Sequence, residues 1–273
     1  ILMTCRCDLE IIHDRHDTLF GGKLPAPNEE TMGPLSAVVL DRYRCDLGIA
    51  TDGDADRLGV IDDEGKFVHP NKLLVLLYYY LVKYRGWEGP CVRNNSTSCL
   101  LDRVAAGLGQ KCYEVPVGFK WVSAKMTETD AIIGGESSGG LTVRGHIQGK
   151  DGIYAAALLV EAIAKTGRRL SALWDEITQK YGAAEMAEHD FHFSSAERTR
   201  IFKLLMEDKQ LPEFPCEIAK VSYMDGCKVY FIDGSWVICR FSGTEPLLRM
   251  AAEADVQEAA DGYIKAFRDM LEL

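Results

Sequence analysis

No apolar run among the 273 residues approaches the roughly 20 that a membrane-crossing helix requires. The longest, Leu73 to Val82, is bracketed by Lys72 and Lys83 and reads as a buried helix. No leader-like segment opens the sequence, so a cytoplasmic location with no membrane partner is expected. Basic excess is also missing. A net charge of −10 excludes a general nucleic-acid surface, which needs a basic stripe to displace counterions. Nine cysteines are present but no C-x-x-C, and Cys5 and Cys7 form the only close pair, so neither a zinc site nor a disulfide framework is indicated. Cys91, Cys112 and Cys239 sit in apolar stretches, where a reduced thiol acts as a small hydrophobe. No internal repeat or low-complexity tract occurs.

What is present is the mixture of an ordinary globular protein, 47% hydrophobic and 26% charged, long enough for one large domain or two to three smaller ones. An acidic protein that takes phosphorylated ligands must concentrate its Arg and Lys locally, so local clusters carry the information. The sequence opens on Ile1 rather than Met, from which a segment of a longer protein is expected.

Helices are expected over Met32–Tyr43, Asn71–Tyr84, Ser98–Leu108, Lys120–Met126, Gly152–Lys165 and Ser171–Tyr181, the last with Ser171 at its N-cap position. They alternate with short strands at Leu47–Ala50, Leu58–Ile61, Cys91–Arg93, Cys112–Val115 and Ala131–Ile133, a pattern that implies a layered, mixed-sheet α/β organisation. Past Gly182 the rhythm changes. A helix opens at Ser195-Ala196-Glu197, a Pro-containing linker follows from Leu211 to Pro215, and strands Ile218–Val221, Lys228–Ile232, Trp236–Arg240 and Leu248–Glu253 precede a last helix from Val256 to Leu271. Successive strands with flanking helices predict a smaller α+β domain from residue 186.

Three loops carry chemistry. Asp52-Gly53-Asp54-Ala55-Asp56-Arg57 places three carboxylates at alternating positions after a strand, a donor set suited to a hard divalent cation such as Mg²⁺. An EF-hand would match Asp52, Asp54, Asp56 and Asp63 but needs Gly where Arg57 stands, a final Glu, and helical flanks. A haloacid-dehalogenase phosphatase loop would need Thr or Val where Asp56 or Leu58 stands. A solvated acidic turn is the remaining alternative.

The second loop, Gly134-Gly135-Glu136-Ser137-Ser138-Gly139-Gly140, offers a Glu and short hydroxyls that suit vicinal sugar hydroxyls, or is simply a turn. The third, Arg240-Phe241-Ser242-Gly243-Thr244-Glu245-Pro246 with Arg249, combines a glycine turn whose N–H groups can converge, hydroxyl donors and two guanidinium groups. It is the local basic concentration a phosphate ligand demands, against the alternative of a strand–turn–strand with incidental arginines.

Together, in this order, the three loops are similar to those of the α-D-phosphohexomutase family of phosphoglucomutases, phosphomannomutases and phosphoglucosamine mutases. Pro25-Ala26-Pro27-Asn28, Asp46-Leu47-Gly48-Ile49-Ala50 and Gly118-Phe119-Lys120-Trp121 extend the resemblance over most of the chain. It implies that Asp52, Asp54 and Asp56 ligate Mg²⁺, with Arg57 beside the reacting phosphate. Glu136 and Ser138 would hold sugar hydroxyls, and Arg240, Ser242, Gly243, Thr244 and Arg249 would grip the non-transferring phosphate of a hexose phosphate. Lys120 would lie near the sugar and assist proton transfer. The implied reaction moves a phosphoryl group through a phosphoserine and a glucose 1,6-bisphosphate intermediate that reorients between two half-reactions.

Residues 1–62 would be the end of domain two, 63–185 domain three and 186–273 domain four. Two departures stand out. The family's phosphoserine lies in a Thr-x-Ser-His-Asn-Pro type loop, yet no Ser-His pair occurs here, so the chain is expected to bind but not turn over. Gly140 stands where many relatives carry His, leaving His146 or Lys120 as candidates for that proton transfer. Glu-x-Ser-Gly-Gly resembles phosphoglucomutase versions more than phosphoglucosamine ones, which favours glucose phosphate, with mannose phosphate as the alternative substrate. A sugar-phosphate-binding protein that never had a nucleophile and a Mg²⁺-dependent phosphatase are the rival readings.

Overall fold

The computed structural model describes residues 1–40, 45–243 and 245–273. They form two compact units, Ile1–Thr97 with Leu101–Lys180, and Tyr181–Leu273 with Ser98–Leu100.

In the first unit, β1 (Gly48–Thr51), β2 (Leu58–Ile61) and β3 (Phe67–Val68) make an antiparallel ribbon. Its apolar residues pack under α1 (Gly33–Val38), where Met32, Val39 and Ile61 are buried together. Pro34 in the first turn of α1 suits a position whose N–H has no helical partner. The remainder of the expected Met32–Tyr43 helix, residues 41–43, lies outside the described residues.

A second sheet has the order β5-β4-β6-β7, built from β4 (Cys91–Asn94), β5 (Cys112–Val115), β6 (Ile133–Gly135) and β7 (Leu141–Val143). The first three run parallel and β7 turns back antiparallel on β6. Five helices accompany these strands: α2 (Pro70–Lys83), α3 (Leu100–Gly107), α4 (Phe119–Thr129), α5 (Gly152–Thr166) and α6 (Leu170–Tyr181). Residues 73–81 of α2 are all buried, as the long apolar run predicts.

Two expectations need correction here. Gly134 and Gly135 belong to β6 rather than to a loop, because they pair with Val92 and Arg93 of β4 and with Thr142 and Leu141 of β7; Met126 and Val122 of α4 pack against Gly134 where a side chain would stand, at 2.5 and 2.6 Å. Ser171 is not the cap of α6. Asp63, from the turn after β2, accepts its N–H at 3.0 Å and its Oγ at 2.9 Å, so Asp63 satisfies the helix start.

The second unit is an antiparallel sheet of order β8-β12-β11-β10-β9, comprising β8 (Glu185–His192), β9 (Ile218–Ser222), β10 (Cys227–Phe231), β11 (Trp236–Phe241) and β12 (Leu247–Ala254). Between β8 and β9 lies α7 (Ser195–Phe202), whose N-cap Ser194 and Glu197 form a capping box. Helix α8 (Gln257–Leu271) covers one face of the sheet with Ala260, Tyr263, Ile264, Phe267 and Leu271, the apolar stripe of a 3.6-residue period. Strand β8 has no sequence signal: Glu188, His189 and Asp190 are exposed and only Ala187 is buried. Pairing along its whole length with β12 makes it a strand, and its charges suit an edge position.

Candidate active site

The acidic loop is the tip of the β1–β2 hairpin, closed by the Thr51–Leu58 pair. Flanking strands exclude the EF-hand, and Asp63, its required last ligand, is spent on α6. The six-residue tip folds over Ala55, which adopts a left-handed φ of 59° while its N–H returns to the Asp52 carbonyl at 3.1 Å. Asp52 is buried, with its Oδ1 accepting the Arg57 N–H at 3.1 Å and its Oδ2 accepting Arg57 Nε at 2.5 Å. Burial alone would push the Asp52 carboxyl up. The Arg57 N–H and the guanidinium hydrogen bond and charge together hold it below the usual carboxylate range.

One carboxylate oxygen each from Asp52, Asp54 and Asp56 lies within 4.8 Å of the others. Oxygens around a Mg²⁺ ion with bonds of about 2.1 Å stand roughly 3–4 Å apart, so these donors fit a small hard cation after minor adjustment. Asp54 is exposed, which leaves room for the water ligands that Mg²⁺ retains.

Sequence reasoning missed Lys150. Its Nζ lies 2.5 Å from Asp56 Oδ2, and its side-chain carbons fill the space where a Cβ at position 140 would project. The volume a larger residue at position 140 would occupy is thus taken by the flexible stem of a lysine, which would have to shift to admit it. Nothing near Lys150 in the sequence marks it, since the pairing arises from the crossing of two loops. His146, a candidate for the proton transfer, stacks on Tyr154 at 4.0 Å and its Nε2 meets Asp151 Oδ2 at 2.8 Å.

The acidic tip and the sugar loop are brought together. Leu58 N–H donates to the Gly139 carbonyl at 3.3 Å, and Arg57 and Gly140 form an isolated antiparallel bridge. Gly152, at the start of α5, donates its N–H to the Ala55 carbonyl at 3.0 Å, fixing the tip from a third side. Glu136 is buried, and its Oε1 accepts the Gly118 N–H at 2.9 Å and Asn94 Nδ2 at 3.4 Å. Gly118 is also the N-cap of α4, so this bond places the start of α4, with exposed Lys120, beside the sugar loop. Ser138 is exposed at the turn, and Lys120 Nζ stands 5.0 Å from the centre of the Trp121 ring.

In the second unit the phosphate-loop residues connect β11 to β12. Arg240 and Arg249 are directly opposite each other in the register, on the sheet face away from α8. Like charges so placed repel, a cost that an anion between them would remove. Arg240 Nε donates to Asp225 Oδ2 at 3.0 Å, while Arg249 meets Glu245 at 2.8 Å and Asp190 at 3.9 Å. The Ser242 N–H donates to the Leu247 carbonyl at 2.9 Å, and Ser242 Oγ accepts the Glu245 N–H at 3.3 Å. Gly243 is exposed but does not take the left-handed conformation expected of a converging nest. Thr244 lies outside the described residues.

Comparison with known proteins places these loops in one family. The phosphoglucomutase/phosphomannomutase sequence models match at residues 1–65 for alpha/beta/alpha domain II, 69–181 for alpha/beta/alpha domain III and 202–270 for the C-terminal domain. The chain belongs to the α-D-phosphohexomutase family. Among individual relatives, a protein of Thermococcus kodakarensis named "Phosphoglucomutase/phosphomannomutase" is 32% identical over 272 residues, covering 100% of this chain and 57% of that one. A Methanosarcina barkeri protein named "Probable phosphoglucosamine mutase" is 32% identical over 276 residues, covering 99% and 59%. The chain thus spans little more than half the length of these relatives. Two solved structures are similar: a phosphoglucomutase/phosphomannomutase family protein of Burkholderia thailandensis, with a TM-score of 0.76 at 25% identity over 94% of this chain and 53% of that one, and the Paramecium phosphoglucomutase parafusin, at 0.70 and 26% over 93% and 51%. Among the described residues, no helix is long and apolar enough to cross a membrane.

Proposed function

We propose that this chain supplies the metal-, sugar- and phosphate-holding parts of a cytoplasmic, Mg²⁺-dependent phosphohexomutase that interconverts the 1- and 6-phosphates of a hexose, with glucose phosphate as its substrate. Its domains would divide at 1–62, 63–185 and 186–273. One observation supports the reading: backbone ties hold the carboxylate tip and the Glu136 loop side by side, as a shared cation and sugar site would require.

Asp52, Asp54 and Asp56 would hold the Mg²⁺, which when bound offsets charge on the phosphoryl group in transit. Arg57, engaged through Nε by Asp52, keeps its terminal nitrogens for the same phosphoryl oxygens. Glu136 has Oε1 committed to Gly118 and Asn94, which fixes the carboxylate and leaves Oε2 to accept a sugar hydroxyl. Lys120 would lie beside the sugar and serve proton transfer. Arg240, Ser242, Gly243, Thr244 and Arg249 would hold the phosphate that is not being transferred, at either end of the sugar. This is what reorientation of glucose 1,6-bisphosphate demands.

Arg240→Ala is expected to weaken glucose 1-phosphate binding by roughly 1.5–3 kcal/mol, the scale of a hydrogen bond to a charged group. Isothermal calorimetry measures it, and an unchanged affinity would refute the phosphate-loop reading. Residues 1–273 alone are expected to show no conversion of glucose 1-phosphate to glucose 6-phosphate, even with glucose 1,6-bisphosphate added, because no Ser-His nucleophile loop is present in them. A coupled dehydrogenase assay reads this, and measurable conversion would overturn it.

A further inference from the structure

The turn between β9 and β10, residues 223–226, carries no residue that the sequence pattern marks as functional, yet it is packed against the strand that bears Arg240. We infer that Asp225 is a positioning residue for the Arg240 guanidinium; the inference rests on the phosphate-loop reading above. Asp225 Oδ2 accepts the Arg240 Nε–H at 3.0 Å, and the two side chains are largely shielded, 26% and 19% exposed. Binding an arginine through Nε leaves both terminal NH₂ groups outside that hydrogen bond, the pair that makes a forked contact with phosphate. A long arginine side chain otherwise gives up rotamer freedom when it grips a ligand, and a carboxylate that already fixes it reduces that loss.

The backbone is shaped for this contact. Gly226 has a φ of 90°, and a Cβ there would collide with the Cys239 carbonyl oxygen and come within 3.0 Å of the Arg240 Cα. Glycine is thus what lets the turn lie flat on β11 and bring Asp225 to Arg240. The carboxylate has a second consequence. Arg240 and Arg249 oppose each other in the register, and Asp225 offsets one of the two charges when no phosphate is between them. A tempered positive site also releases its anion more readily than a bare pair of arginines would, which a ligand that must turn end over end requires.

The test is a calorimetric titration of the 273-residue chain with glucose 1-phosphate, comparing the unaltered protein with Arg240→Ala, Asp225→Ala and Asp225→Asn at low and high salt. Asp225→Ala is expected to bind about tenfold more weakly, the scale of one lost charge-assisted contact. Asp225→Asn keeps an acceptor oxygen for Nε but no charge, and is expected to bind about threefold more tightly at low salt, with the gain fading as salt screens it. A residue that merely supported the fold would not give opposite signs in the two variants. If Arg240→Ala weakens binding and Asp225→Ala does not, the inference is wrong while the phosphate loop stands; if neither does, the loop assignment itself fails. Should Asp225→Ala not fold, Asp225→Asn decides alone, and unchanged or weaker binding overturns the inference.

Discussion

Asp52→Ala is expected to weaken Mg²⁺ binding about 100-fold or more, at least the upper end of what losing a residue that merely supports a metal ligand costs. Two losses combine. The carboxylate is one of the three whose oxygens lie within 4.8 Å of one another, and it is also the acceptor that fixes Arg57 through both backbone and side chain. Without it, Arg57 is free to swing toward Asp56, whose Oδ1 is already 3.8 Å from Nε, and Lys150 holds the other Asp56 oxygen. The remaining acidic tip would then be countered by protein cations and would have little charge to offer an ion. Asp54→Ala removes an exposed carboxylate that holds no part of the loop's backbone, so its effect is expected to be smaller, about tenfold. Mg²⁺ titration by calorimetry separates the two, and equal losses in both variants would mean that Asp52 is not the organising ligand.

The part of this site legible in the sequence is the part whose chemistry is local. Asp52, Asp54 and Asp56 stand between two short apolar runs with small residues interleaved, so both the hairpin and its acidic tip are written within the fourteen residues from Gly48 to Ile61. Most helices and strands were also visible, because their apolar periods are local: Cys112–Val115 and Leu58–Ile61 fall where the pattern puts them. What could not be read depends on which loops cross. Lys150 reaches Asp56, Asp63 caps α6, and Gly118 donates to Glu136 because the chain returns to the same place, and no spacing rule encodes those meetings. Strand β8 failed for a related reason, since its charged residues alternate with nothing and only its neighbour β12 defines it. The opposition of Arg240 and Arg249 also needed the register, because a hairpin slipped by one residue would put one of them on the face under α8.

Phe267→Ala is expected to destabilise the second unit by about 3–5 kcal/mol, a large part of the 5–15 kcal/mol that typically separates folded from unfolded domains. The side chain is fully buried under α8 and meets Phe214 edge-on at 5.5 Å and 63°. Phe214 in turn contacts Phe231 at 5.0 Å and Tyr263 at 6.0 Å, while Phe231 and Tyr263 stack at 4.3 Å. The segment from Leu211 to Pro215, which reads as a plain linker, is therefore pinned by an aromatic side chain inserted among three others, and Phe267 forms one wall of that slot. Removing it leaves a cavity and frees the linker, so the loss should exceed that of Phe267→Leu, which keeps most of the volume. Guanidinium denaturation followed by the fluorescence of Trp236, the unit's own tryptophan, reads the change, and a loss below about 1 kcal/mol would contradict the packing. Because Phe267 lies beneath the sheet and Arg240 above it, the variant should bind glucose 1-phosphate normally at temperatures where it stays folded. A matched fall in affinity would show that the two faces of this sheet do not act independently.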